Sequence, residues 1–162
     1  MSLRGRIHKA LLASLFGWLA GLVVATPFQV VEATRNTVGH LLARDLVAAL
    51  TLWFVLTVAM ALYWCGAFLL PMIWLLSAAR ILRHRTLWIA GSLVFGVVLM
   101  AIRLHVWTAL YHDGISLINF VMWAAFAGTF FSITAAMYTR YLAASSTGIP
   151  SPDAVSGSGI TL

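Results

Sequence analysis

Apolar positions along this chain fall into four long runs, and the polar positions between them gather in short bands. The longest run, Leu46 to Ala79, holds 34 residues without one formally charged side chain. A helix crossing the hydrocarbon core of a bilayer needs about 20 apolar residues. At roughly 1.5 Å per residue this run extends on the order of 50 Å, too long for one perpendicular crossing and too short for two with a turn. It predicts one spanning helix over residues 46–72 with an extension to residue 85. Pro71 has no backbone N–H, and its ring crowds the carbonyl four residues earlier, so a kink is expected around residue 67. Beyond the kink, Ile73, Trp74, Leu75, Leu76, Ile81 and Leu82 are joined by Arg80, Arg83 and Arg85. Such a segment suits a membrane surface, with its arginines reaching for headgroups.

The other runs predict spans over residues 10–31, 87–111 and 115–138. The first follows Arg4, Arg6 and Lys9, the basic-then-apolar order of a secretory signal, and Val23, Val24 and Ala25 offer small residues for cleavage. Apolar character continues through Phe28, Val30 and Val31, which favours a retained helix. Pro27 falls near its far end, where a kink or a helix end is cheapest. Thr34 is a candidate N-cap for the second helix, which would set His40 and Arg44 on one face at i,i+4. Residues 143–162 are mostly Ser, Gly, Pro and Thr with one acid, a composition that builds no core, and they read as a flexible cytoplasmic tail.

The fold class expected is all-α: a polytopic membrane protein, residues 1–142, built as a four-transmembrane-helix bundle with both termini cytoplasmic. The orientation comes from the basic residues. Three lie in the N-terminal tail, three in the second loop and one at the end of the fourth helix, against two in the first loop, with Arg103 the tenth. The acids Glu32, Asp45 and Asp113 then fall on the outer side. Trp64, Trp74, Trp88 and Trp107 lie at or towards span ends, as belt tryptophans do, whereas Trp18, Trp53 and Trp123 fit that pattern less well.

Composition supports the membrane reading. The chain is 62% hydrophobic and 9% charged, whereas a soluble domain carries about 25% charged residues. A water-soluble core of this size could not cover so much apolar surface. The formal charge of +6 does not point to nucleic acid, because the cations flank apolar spans instead of forming a patch interleaved with aromatics. Cys65 is the only cysteine, which excludes an intrachain disulfide and a Cys-rich metal site.

Candidate chemistry collects at the outer helix ends. His40, His105, His112 and Asp113 are the one set in which imidazole and carboxylate could converge on a metal or haem iron. A polar rim facing water and headgroups accounts for the same residues, and no HxxxH or HExxH spacing occurs. No cofactor is favoured. Arg103 is the one charge inside a predicted span. It lies 16 residues past Leu87, roughly 24 Å along the helix, where pairing with Glu32 or Asp113 is the expected role. Cys65 sits deep in an apolar span with no histidine within a turn, and a thiol there is inert. No Gly-rich phosphate loop or Ser-centred elbow is present.

Small residues make two ridges at i,i+4: Gly17, Gly21 and Ala25 on the first helix, and Ala124, Gly128, Ser132 and Ala136 on the last. Membrane helices use such ridges for close backbone approach. The ridge on the last helix is the candidate contact with another subunit. These features favour a non-enzymatic integral subunit of a larger inner-membrane assembly for transport, secretion or envelope synthesis. The alternatives are a redox or metal/haem-handling protein using the outer rim, and a small oligomeric transporter or channel with Arg103 at its mouth. Expected partners are the lipid bilayer and other membrane subunits or further copies of the chain.

Overall fold

A computed structural model of the chain describes residues 3–36, 43–111 and 117–146. Every ordered element among them is helical: α1 (Leu3–Asn36), α2 (Ala43–Trp64), a π-helical turn (Cys65–Leu69), α3 (Leu70–Leu75), α4 (Ala78–Arg83), α5 (Arg85–Tyr111) and α6 (Leu117–Ser146). Among the described residues four stretches are long and apolar enough to cross a membrane: Leu3–Glu32, Val47–Leu75, Arg85–Val106 and Leu117–Ser145.

α6 is the central helix. Half of its apolar window is buried, at 50%, against 11% for α5. α1 and α5 lie on it antiparallel, and α2 completes the bundle beside α1. The close approach of α1 to α6 depends on Gly17, where a Cβ would stand 2.6 Å from the carbonyl oxygen of Phe130. Gly96 does the same for α5, where a Cβ would stand 2.6 Å from the carbonyl oxygen of Ala127. Helices in an apolar solvent gain little from burying apolar surface, so contact between backbones matters more than it would in water.

The core is aromatic. Trp64, 1% exposed, packs against Phe126, Phe130 and Phe131 of α6 with ring centroids 5.1 to 5.9 Å apart. Trp53 meets Trp123 edge-on at 4.8 Å. Trp64 is therefore a core residue and not a belt residue. Trp53 and Trp123, which fit a belt poorly, belong to the same core.

Several boundaries differ from the sequence expectation. Pro27 does not end α1 but sits inside it, and the helix continues to Asn36. Thr34 consequently lies within α1 and does not cap a second helix; α2 starts at Ala43. α6 runs on to Ser146, into the segment read as tail. There Lys9 donates to the carbonyl of Tyr141 at 3.3 Å and to the hydroxyl of Ser145, tying the last turn of α6 to α1.

The break near Pro71 takes the form of the π turn. The N–H of Leu70 reaches the carbonyl of Cys65, five residues back. Pro71 follows directly, in the first turn of α3, so the widened turn sits where the proline ring and missing N–H disturb the ladder. α3 stops at Leu75, Leu76 is extended, and Ser77 caps α4 by accepting from the Arg80 N–H. The extension expected to continue to residue 85 is thus two short helices with a break between them.

Candidate functional site

The four-helix arrangement separates the charges. The start of α1, the α3–α4 break, the start of α5 and the end of α6 meet at one end of the bundle. That end carries Arg4, Arg6, Lys9, Arg80, Arg83, Arg85 and Arg140, seven of the ten Lys and Arg residues. Neither acid within the described helices lies there: Glu32 is near the end of α1 and Asp45 near the start of α2.

Arg6 organises this end. Its guanidinium donates to the carbonyl of Leu76, and its Nε donates to the hydroxyl of Tyr138 at 3.4 Å. The Leu76 carbonyl is available because the chain turns extended there and leaves the helix. A charged donor from α1 thus satisfies a backbone acceptor that the break exposes.

Next to this clamp a groove of about 530 Å³ opens between α3 and α5, floored by α6. Its walls are the π turn with α3 on one side and α5, packed against α6, on the other. Phe68 and Met72 form one wall, Trp88 and Phe95 the other, and Phe131 and Tyr138 the floor. A Cβ on Gly91, which also lines the groove, would meet no atom within 4 Å. Thr134 contributes to the floor, but its hydroxyl faces Gly17 across the α1–α6 contact.

A second, smaller cavity of about 210 Å³ adjoins the groove and shares Leu87 and Trp88 with it. Its lining includes Arg80 and His84. Both are exposed, and the hydrogen bonds of these two residues within the described chain run through their backbones. An apolar trough therefore leads into a cationic mouth.

The residues singled out at the opposite end are less fully placed. His40, His112 and Asp113 lie outside the described residues. His105 is exposed on α5. Arg103, also exposed, donates to the sulfur of Met60 on α2. Glu32 is half-buried on α1. Among the described residues no three His, Cys, Asp or Glu side chains approach closely enough to hold a metal ion.

The small-residue ridges face inward. Gly17 and Gly21 abut Phe130 and Phe126 of α6, and Ala25 is fully buried. Ala124 and Gly128 are buried, Gly128 facing Leu93 and Val97 of α5, while Ser132 and Ala136 are half-buried. The α6 ridge thus contacts α5 within the chain. The groove and its mouth had no motif in the sequence. Their one outward sign was Pro71, followed by an arginine-bearing segment too short to span.

No family model, curated protein or solved structure matches the chain.

Proposed function

We propose that the chain is a four-span protein of a bacterial-type inner membrane, with both termini cytoplasmic, and that it serves as a non-enzymatic subunit of a larger membrane assembly for transport, secretion or envelope synthesis. The observation that carries the subunit reading is the outer face of α5. This 27-residue helix leans on α6, and its other side bears Val94, Val98, Ile102 and Val106, all exposed, in an i,i+4 row. β-Branched side chains hold one dominant rotamer on a helix, so such a row loses little side-chain entropy when another helix docks on it. The concentration of cations at one end of the bundle supports the orientation.

The test is purification of the full chain in mild detergent, with mass spectrometry and an absorption spectrum of whatever accompanies it. Specific membrane proteins are expected, and Val98→Trp, which roughens the row, is expected to release them while leaving the chain folded. A chain that purifies alone with stoichiometric metal or a haem band lost on His105→Ala overturns the subunit reading in favour of redox or metal handling.

A further inference from the structure

The groove between α3 and α5 and the cavity beside it adjoin at Leu87 and Trp88 and differ in chemistry. The groove is lined almost wholly by apolar side chains, and the stretches that wall it, Val47–Leu75, Arg85–Val106 and Leu117–Ser145, are each apolar enough to cross a membrane. Its volume, about 530 Å³, is in the range of built ligand sites. The adjoining cavity brings Arg80 and His84 to the point where the groove ends at Trp88. Arg83 and Arg85 flank them in sequence, and no described acidic residue is at this end of the bundle. A ligand that fits has a long apolar portion and an anionic group at one terminus.

We propose that this feature is a binding site for an anionic glycerophospholipid, one acyl chain lying in the groove and the phosphate held by Arg80 and His84. The proposal rests on the membrane reading above, though not on the subunit reading. A lipid tail leaving the bilayer for an apolar groove exchanges one hydrocarbon environment for another, so the tail contributes shape and little driving force. The headgroup supplies the selectivity, through charge-assisted hydrogen bonds from the guanidinium and through the field of the surrounding cations. The clamp of Arg6 on Leu76 and Tyr138 keeps α3 and α6 at a set distance, so the groove is already open before a lipid enters.

Gly91 provides the decisive variant. It lines the groove, and a side chain there points into open space, so Gly91→Phe fills the groove without displacing the bundle. Ala67→Phe fills it from the opposite wall. The experiment is native mass spectrometry of the full, delipidated chain with phosphatidylglycerol, with phosphatidylcholine of the same chains, and with glycerol phosphate. The native chain is expected to retain one phosphatidylglycerol in preference to phosphatidylcholine and to retain no glycerol phosphate. Either groove-filling variant, its fold checked by thermal unfolding, is expected to lose the lipid. Arg80→Gln with His84→Gln is expected to keep a tail bound but to lose the headgroup preference, by roughly fivefold for the arginine charge alone. Equal retention of the two lipids, or undiminished retention in both folded groove variants, overturns the proposal. Glycerol phosphate bound as well as the lipid overturns it too, in favour of a free-anion site. Release of the chain from membranes by alkaline carbonate would overturn the membrane reading itself, whereas a carbonate-resistant chain without lipid preference would overturn only this site.

Discussion

Arg6 and Leu76 are 70 positions apart, yet the guanidinium of one donates to the backbone carbonyl of the other. The contact joins the first turns of α1 to the one place where the apolar run from α2 leaves helical geometry. It is the chain's means of holding a break open without leaving its acceptor bare. Removal of the guanidinium strands the Leu76 carbonyl in a half-buried site, and loss of a hydrogen bond to a charged group costs about 1.5–3 kcal/mol. Arg6→Gln is expected to lower the thermal unfolding midpoint in detergent and to speed amide exchange in α3 and α4 more than elsewhere. Arg6→Lys should recover part of the loss, since one ammonium reaches a single acceptor less specifically than a planar fork serves two. Uniform exchange rates in the Gln variant would show that the break does not depend on this clamp.

The glycines of the bundle should separate sharply by position. At Gly17 a Cβ would press on the carbonyl oxygen of Phe130, and at Gly96 on that of Ala127, both backbone atoms that cannot rotate away. Overpacking of this kind costs about 1–3 kcal/mol. At Gly91 the same Cβ meets nothing, and exchange of glycine for alanine within a helix gains up to about 1 kcal/mol. Unfolding of the three alanine variants by heat should therefore give two destabilised proteins and one unchanged or stabilised. Similar behaviour of all three would contradict the α6-centred packing.

The four apolar runs made the helices legible because crossing length and lack of charge are local properties of the chain. Pro71 likewise announced a discontinuity, since a missing N–H acts on its own helix. What escaped was everything decided between helices. Trp64 stands near a span end, and only its packing on Phe126, Phe130 and Phe131 makes it a core residue. Gly96 has only Ser92 as a small neighbour at i,i+4, and its necessity comes from the carbonyl of Ala127. The groove is the space between the π turn with α3 and α5, and neither side alone records it. The outer-end set of His40, His105, His112 and Asp113 was read from residue type alone, and of that set only His105 is among the described residues.

Trp64 should be the most costly single aromatic to remove. It is 1% exposed and touches three phenylalanines of α6. Truncation of a buried aromatic to alanine costs about 3–5 kcal/mol, because the cavity collapses only in part. Trp64→Ala is expected to lose most of its near-ultraviolet circular dichroism and to unfold at a lower temperature than Trp74→Ala, since Trp74 is 74% exposed. The comparison uses two tryptophans ten residues apart in one apolar run, so hydrophobicity alone predicts no difference between them. Equal stability of the two variants would remove Trp64 from the core.

The orientation of the chain can be reversed on paper by charge alone, which makes it testable by charge. Arg80, Arg83 and Arg85 share one end with Arg4, Arg6 and Lys9, and short loops rich in Lys and Arg stay on the cytoplasmic side. A reporter active only in the periplasm should be silent when fused after Arg85 and active when fused between residues 112 and 116. The clamp adds a structural constraint to this topogenic signal, because Arg6 and Leu76 must lie on the same side to meet. Neutralisation of Arg80, Arg83 and Arg85 together is thus expected to reduce the cytoplasmic bias without inverting the chain, while the three cations at the start of α1 remain. Periplasmic activity of the Arg85 fusion in the native sequence would place the basic end outside, and with it the cationic mouth of the groove.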